Sequence, residues 1–516
     1  MKESDKSSTS CLCLSETKGM LKNMKVLLYD TGDVRGELNE PIGIELLAAH
    51  VLNELKKQVI VDIKWFNFDG YSFDPLQYDI IGISIHINGL SVFDNIYKLC
   101  CECHFKGMLV AGNSIATFAY EQLLEQYPDI ICSIGEGEYT FKEIVKRHMS
   151  GCFNPAGIPN LAYLDHGSLV VTERSFFAIR DYLPPLRIFN EQIKVNRGIA
   201  RIEASRGCIW NRCNFCGAAH KYNNAGWRTI SIDIIIEQLV ELSEAGLKTI
   251  YFCDEDFIGN DTKRFAILVD KIREKMDAGE IDQDMKFFIS VKPTDLINTT
   301  NIEIIKRFMN CGLKDLFVGL ESGCDKQLKR YNKCTNVKIN SMVVSRINEL
   351  INEGLTIDIG FIFFDYNMTP DDIEENIRFI ESNRLYTLAS SLIKPLRIQP
   401  YTKTYTDTTE VHGNEFSTDD LMYYYHFADD TVEQIHSAYS ELKLEALAHK
   451  IQSVYRREMS SEIERELSEK NLIVLRFLQF SAIKTIAAHY ICNEIDEPQL
   501  KSRLNEILRQ AMDLLP

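Results

Sequence analysis

The sequence predicts an α/β protein in three parts: an N-terminal doubly wound parallel sheet of Rossmann-like kind, a partial (β/α)6 barrel of TIM type, and a mostly helical C-terminal region. Three observations carry this. Apolar runs of strand length alternate with helical stretches in two separate series, a Pro-rich stretch divides the series, and strand signals fade after Pro400. A chain of 516 residues has room for roughly two to four domains. Its 45% apolar and 25% charged content is that of a globular protein.

Residues 1–24, rich in Ser, Lys and Glu, read as an N-terminal arm. The first series occupies residues 25–150. KVLLYD (25–30), VIVDIKWF (59–66), DIIGISI (79–85), MLVAG (108–112) and DIICSIG (129–135) are near-continuous apolar strands, and a helix is expected over 42–55. Such strands belong to a parallel sheet covered on both faces, with ligands beyond the carboxyl ends of its strands. Residues 151–197 carry Pro155, Pro159, Pro184 and Pro185 and read as a structured linker. Within it, LAYLDHGSLVV suggests a hairpin turning at Asp165-His166-Gly167.

The second series fills residues 198–400. Its strands are ARIEAS (200–205), KTIYFC (248–253), KFFISV (286–291), KDLFVGL (314–320), LTIDIGFIFF (355–364) and LASSLIKPLRI (388–398). Amphipathic helices fall between them at 232–245, 261–276, 302–310, 339–352 and 371–382. Six βα repeats suit a barrel or part of one, with its active site at the C-terminal ends of the strands. Residues 401–516 form the helical domain.

With 57 basic and 74 acidic residues the net charge is −17, which disfavours nucleic acid as a partner because that affinity rests on Lys and Arg. The most apolar stretch, 472–486, is broken by Arg476 and Lys484 and falls short of the roughly 18–20 residues of a membrane span. The N-terminus lacks the apolar core of a secretory signal. A cytoplasmic protein without a membrane partner is expected. In that setting fifteen cysteines point to reduced thiols or metal ligands rather than disulfides.

The most informative stretch is EASRGCIWNRCNFCGAAH, which sets Cys208, Cys213 and Cys216 directly after the first barrel strand. A closed structural zinc site wants four protein ligands. Three thiolates on a loop at the catalytic end suit an iron–sulfur cubane with one iron left open. Here the sequence resembles the radical S-adenosylmethionine (SAM) superfamily, in which a 4Fe-4S cluster binds SAM at its open iron. The usual spacing is C-x3-C-x2-C with an aromatic before the last Cys; this chain has Phe215 and the C-x2-C half, but four residues (209–212) where three are usual.

Further segments follow in order. FCDEDFIGND (252–261) is similar to the acidic segment that helps hold the methionyl amino group, with Asp254, Glu255 and Asp256 as its carboxylates. The same acids can also cap a helix. VGLESGCDKQLKRYNK (318–333) resembles the family's ESG segment; the resemblance puts Glu321 and Ser322 near the ribose or methionyl group, with Gly323 allowing close backbone approach. GFIFFDYNMTPDDIEENIRFI (360–380) is similar to the segment lining the adenine, with Phe361 a contact, but lacks the Gly-x-Pro of many relatives. VKPTD (291–295) lacks the common Arg-x-Asp, for which Lys292 is the substitute at hand.

A wound domain ahead of such a barrel resembles the cobalamin-binding subfamily. EPIGIELLAAHVL (40–52), VAGNSIAT (110–117) and IGEGEYTFKEIV (134–145) match its recurring segments. The resemblance implies a cobalamin surface of His86, Asn88, Gly89, Gly112, Asn113, Ser114, Thr117, Gly135, Glu136, Gly137 and Glu138. The Asp-x-His-x-x-Gly ligand motif is absent: Ser84 stands two residues before His86, with Gly89 three after. Cobalt ligation by His86 and a lower face left empty or holding water both remain open.

The activity implied is that of a C-methyltransferase. A 5′-deoxyadenosyl radical removes a hydrogen from an unactivated carbon, and cobalamin delivers a methyl group to it. The substrate is a peptide or a small secondary metabolite, and the electron comes from an external flavodoxin- or ferredoxin-type donor. A non-methylating cyclisation, ring contraction or other rearrangement uses the same cofactors. A catalytically silent sensor of SAM and cobalamin is the reading from another class. Two further clusters are weighed: CCECH (100–104), with free helix-face cysteines as the simpler reading, and Tyr423 to Tyr425 before His426, where Tyr425 and His426 are weak candidates for a proton or electron relay.

Overall fold

The computed structural model describes residues 23–32, 38–151, 153–388, 392–408, 415–455 and 462–514. Residues 1–22 of the expected arm lie outside them, and Met24, placed at its end, opens the first strand.

The first sheet has seven strands: β1 (Met24–Asp30), β2 (Val59–Trp65), β3 (Ile80–Ser84), β4 (Met108–Gly112), β5 (Ile131–Ser133), β6 (Leu161–Asp165) and β7 (Ser168–Val171). Their order is β2-β1-β3-β4-β5-β6-β7, parallel from β2 to β5. The chain therefore winds one way to β2 and the other way from β3. That reversal opens a crevice at the carboxyl ends of β1 and β3, where wound sheets bind ligands. β1 and β3 are almost wholly buried, which is why they read as unbroken apolar runs.

The segment 151–197, expected as a linker, supplies the antiparallel edge of this sheet through β6 and β7. Asp165 pairs with Ser168, so His166 and Gly167 make a two-residue turn, both at positive φ as a primed hairpin turn requires.

The second sheet contains β8 (Ala200–Ile202), β11 (Thr249–Phe252), β12 (Lys286–Val291), β13 (Leu313–Glu321) and β14 (Thr356–Phe361), all parallel and in sequence order. Between β8 and β11, β9 (Ser205–Arg206) and β10 (Arg228–Thr229) pair antiparallel and close the neck of the cysteine loop. Helices Ile232–Glu244, Thr262–Asp277, Thr299–Met309, Val337–Asn352 and Pro370–Asn383 cover its outer face within a few residues of expectation.

The expected sixth strand at 388–398 includes residues 389–391, outside those described. The rest makes one parallel bridge, Phe364 to Pro395. The Phe364 N–H donates to the Lys394 carbonyl and the Leu396 N–H to the Phe364 carbonyl, after which Ile398 pairs with Tyr423 instead, so among the described residues the barrel has five full strands and a sixth position held by that contact.

After Pro400 come a two-residue hairpin, β15 (Phe416–Ser417) with β16 (Met422–Tyr423), and helices Asp430–Glu441, Leu444–Tyr455, Glu462–Tyr490 and Glu497–Met512. The stretch Lys470–Tyr490 has the length and apolar content of a membrane span. Half of it is buried, and its helix packs on the other three helices of this layer, the pattern of a core helix.

Candidate active site

A cavity of about 360 Å³ lies where the carboxyl ends of β1, β3, β4 and β5 face β8 and β11 of the barrel. Of the expected cobalamin surface, His86, Gly112, Asn113, Ser114, Gly135, Glu136, Gly137 and Glu138 line it. Asn88, Gly89 and Thr117 do not. The Asn88 N–H donates to the Asp419 carbonyl (2.8 Å), and the Gly89 N–H closes a turn on the His86 carbonyl (2.9 Å). Thr117 Oγ1 accepts the Gly135 N–H at 3.0 Å and thus acts one step behind the wall. Gly135 has φ +78°, and a Cβ there would stand 2.5 Å from the Lys221 carbonyl oxygen, so glycine lets the first domain abut the cysteine loop.

His86 stands at the switch-point crevice with Nε2 2.9 Å from Asp30 Oδ2 at the end of β1. Burial alone would raise the Asp30 carboxyl, but His86 beside it and the Gly32 N–H hold it below the ordinary range. A carboxylate on one ring nitrogen fixes the imidazole orientation, and Asn113 Nδ2 lies 3.5 Å from the other.

The same cavity has an apolar side, the slot, lined by Leu28, Ile42, Ile44, Val110 and Phe141. A Cβ on Gly82 would stand 2.7 Å from the Phe141 ring. Ser133 Oγ, in the same lining, is buried without a hydrogen-bond partner. A buried hydroxyl lacking a partner is costly unless a ligand meets it.

On the barrel side, the loop 207–227 carries the three cysteines and contributes Lys221 and Tyr222 to the cavity. Asn211 lies at φ +45°, a left-handed conformation that Asn tolerates, and takes up the extra residue of the spacing. Cys213 and Cys216 close one turn, the Cys216 N–H donating to the Cys213 carbonyl at 3.1 Å. Asn214 Nδ2 and Trp210 Nε1 each donate at 2.7 Å, to the carbonyls of Arg330 and Asn332, so the loop is fastened to the turn after the ESG segment.

All three thiols are free. Burial pushes Cys208 up to about 11 and Cys213 up to about 12, and raises Cys216 as well. They are therefore thiols until a cation takes them, and metal binding would release their protons. Among the described residues no three His, Cys, Asp or Glu side chains close round one metal ion, and the CCECH cysteines form no such group. A cubane takes each thiolate on a different iron, which spaces the ligands more widely than a single ion does.

The acidic segment divides its work. Asp254 is fully engaged, accepting from the Ala204 N–H (3.0 Å) and Ser205 Oγ (2.5 Å). Glu255 accepts from the Gly207 N–H (3.1 Å), Lys221 Nζ (3.0 Å) and Tyr222 OH (2.7 Å). Asp256 lies 3.6 Å from Cys208 Sγ, and Lys292 Nζ reaches both of its oxygens at 2.7 Å. Lys292, flagged as the substitute for a missing Arg, thus sits beside the cluster loop.

Glu321 sits at a bulge of β13 with φ +67°, its Oε1 2.9 Å from Lys333 Nζ. Lys333 is also 6.0 Å from the Phe215 ring centroid, and its charge opposes the raised thiols of Cys213 and Cys216. Ser322, in contrast, is turned into the barrel wall. Its Oγ donates to Gln327 and accepts the Cys324 N–H. Gly323 permits a close approach, but to the Phe379 side chain. Phe361 is buried on β14.

The weak relay candidates part company with the cavity. Tyr425 OH donates to the Leu396 carbonyl at 3.1 Å inside an aromatic cluster with Phe215 and Tyr331. The His426 side chain is 86% exposed and faces Glu433. Sequence reasoning passed over Asp30, Ser133 and Lys333. Only Asp30 left a signal, as a charge ending a buried strand.

Residues 202–380 match the Radical SAM superfamily. The 4'-phospho-dehydrooxetanocin synthase of Priestia megaterium is 29% identical over 348 residues, covering 62% of this chain and 44% of that protein. The chain thus spans about half the length of the curated relatives it matches. Its fold is similar to that of the cobalamin-dependent S-adenosylmethionine radical enzyme OxsB with aqua-cobalamin bound, with a TM-score of 0.78 at 20% identity over 96% of this chain and 80% of that one. It is also similar to the radical S-adenosylmethionine methyltransferase TsrM from Kitasatospora setae with cobalamin and a 4Fe-4S cluster bound, with a TM-score of 0.62 at 16% identity over 75% and 78% of the two chains. Residues 202–380 thus belong to the radical SAM superfamily, with the thiol loop at the mouth of their barrel and a wound sheet facing it across the cavity, and the chain shares its fold with the cobalamin-dependent enzymes above.

Proposed function

We propose that the chain is a cobalamin-dependent radical SAM C-methyltransferase of the cytoplasm, acting on a peptide or small-molecule substrate and reduced by an external flavodoxin- or ferredoxin-type donor. The carrying observation is the cavity that has His86 and the apolar residues of the wound sheet on one side and, on the other, Lys221 and Tyr222 from the loop that carries the three cysteines. The residues fit the groups. Cys208, Cys213 and Cys216 are free soft donors for a 4Fe-4S cluster. The slot with its unpartnered Ser133 hydroxyl suits the apolar, hydrogen-bonding tail of a cobalamin, and Gly112, where a Cβ would meet nothing closer than 3.9 Å, leaves room beside its ring. When bound, these groups supply a 5′-deoxyadenosyl radical from SAM and a transferable methyl.

The chain's own residues bind, orient and exclude water. Asp30 fixes the orientation of the His86 imidazole in the cavity wall, where it would meet a bound corrin. Glu255, Asp256 and Glu321 are held by Lys221, Lys292 and Lys333 and would share their charge with the ammonium group of a bound SAM, with Phe215 against Lys333 as an aromatic wall; Asp254, Ser322 and Phe361 hold the strand ends that present them. Lys292 and Lys333 bring cations beside the thiolates, so the site does not accumulate unbalanced negative charge. Arg206, bridging the two domains, lines the cavity.

A second reading keeps both cofactors but ends in cyclisation, ring contraction or another rearrangement, and the likeness in sequence to an anaerobic magnesium-protoporphyrin IX monomethyl ester cyclase favours it. Anaerobic reconstitution with iron, sulfide and cobalamin, followed by metal analysis after gel filtration, tests the shared part. Cobalt equimolar with the chain, alongside one cubane of iron, is expected; a preparation that holds iron but no cobalt would remove cobalamin from both readings.

A further inference from the structure

We propose that the exposed face formed by residues 209–212 and the helix Asp325–Arg330 is the docking surface for an acidic one-electron carrier protein. The proposal deepens the function above and rests on it. The chain carries a net charge of −17, so an acidic partner is repelled by the molecule as a whole. This face has the opposite sign. Arg212, Lys326 and Lys329 are exposed on it against one exposed acid, Asp325; Lys326 lies 3.9 Å from the buried Asp372, and Arg330 is engaged with Asp365 and Asp372. A local basic face on an acidic body selects one orientation of approach, because every other orientation is disfavoured.

The face also has the apolar and aromatic content of an interface core. Ile209 is 44% exposed, and the Arg212 guanidinium stands 5.8 Å from the Trp210 ring centroid. Trp and Arg are the residues that most often anchor protein contacts. The surface is fixed rather than loose: Trp210 Nε1 donates to the Asn332 carbonyl at 2.7 Å, and Asn332 Nδ2 donates back to the Arg212 carbonyl at 2.8 Å. Residues 209–212 are the whole connection between Cys208 and Cys213, so a carrier seated there lies directly behind two of the cluster thiolates. One electron crosses, the carrier is oxidised by one electron and the cluster is reduced by one, and no bond is made or broken. A small, charge-steered and short-lived contact is what redox partners use.

The test compares the anaerobically reconstituted enzyme with Lys329→Glu and with the double variant Lys326→Glu/Lys329→Glu, using flavodoxin hydroquinone as the probe. We expect the flavodoxin concentration for half-maximal 5′-deoxyadenosine formation to rise about tenfold in the double variant at low salt, and the difference to collapse at about 0.3 M salt. Oxidised flavodoxin, followed by fluorescence anisotropy, should lose about tenfold in affinity in parallel. With dithionite as reductant the variants should match the parent, which shows that fold and cluster are intact. Wild-type flavodoxin dependence and binding in the variants would overturn the proposal, as would a parent enzyme that works with dithionite but neither binds nor uses flavodoxin. No 5′-deoxyadenosine from any protein with either reductant would instead overturn the functional reading beneath it.

Discussion

Arg206 of the barrel reaches Glu136 of the wound sheet, Nη1 to Oε1, at 2.9 Å, with both side chains at least 95% buried. The same guanidinium meets Glu138 and Glu203, and Arg228 adds a second cation on Glu136 at 3.1 Å. The two domains are therefore joined by a buried charge cluster at the cavity wall. Replacing Arg206 by Met leaves three carboxylates facing one another with one cation fewer. We expect urea unfolding to show a loss of about 3–5 kcal/mol, the cost of breaking a buried pair from one side. A loss under about 1 kcal/mol would mean that water already reaches the cluster.

The apolar slot of the cavity gives a binding prediction. Gly82→Val places a side chain where even a Cβ lies 2.7 Å from the Phe141 ring. The variant should elute from gel filtration without cobalamin while keeping iron. Ser133→Ala removes a single hydroxyl and should weaken cobalamin binding by roughly three- to tenfold, the worth of one hydrogen bond. Equal cobalamin retention in Gly82→Val and the parent would move the ligand out of the slot.

The ligand assignment is tested by substitution of the thiols. The triple variant Cys208→Ser/Cys213→Ser/Cys216→Ser should lose the charge-transfer absorbance and the iron of the reconstituted protein. Cys101→Ser, at an exposed cysteine of the other cluster, should keep both. A full iron complement in the triple variant would overturn the assignment.

Asp254 gives a pH prediction. Burial pushes its carboxyl up to about 7, against the hydrogen bonds from Ser205 and Ala204. The folded chain therefore holds a proton that an unfolded Asp releases near about pH 3.9. Stability falls as pH rises from about 4 to about 7 and is flat above, a span of at most about 4 kcal/mol. Asp254→Asn should remove one proton's worth of slope from stability measured by denaturant between about pH 5 and 7. An unchanged slope would place the titration elsewhere.

Much of this arrangement is legible along the chain because it depends on local patterns. Apolar runs mark β1, β3 and β4, and the clustered cysteines mark the loop after β8. What depends on pairing across the sheet is not. His86 lacks an Asp two residues before it, where Ser84 stands, yet Ser84 pairs with Asp30 in the register of β1 and β3, and Asp30 delivers the carboxylate to the imidazole. A motif read along one strand misses a partner supplied by its neighbour. Asn88, Gly89 and Thr117 belong to the right loops, but their polar groups or close contacts serve the turns that shape the wall. The hairpin at 161–171 reads correctly as a hairpin, whereas its membership of the first sheet is decided by pairing with β5. The sixth barrel position reads as an apolar run, yet among the described residues it bridges once to Phe364 and then turns, Ile398 pairing with Tyr423, a change of partner that the run itself does not signal.

The most direct test of the central claim is to incubate the reconstituted enzyme anaerobically with cobalamin, reductant and SAM, and to quantify the nucleosides by mass spectrometry. A cavity that serves both cofactors for methyl transfer predicts 5′-deoxyadenosine together with S-adenosylhomocysteine, the second product reporting methylation of cobalamin even without substrate. Abundant 5′-deoxyadenosine with no S-adenosylhomocysteine would contradict methyl transfer and turn the substrate search toward ring-forming or rearranging chemistry.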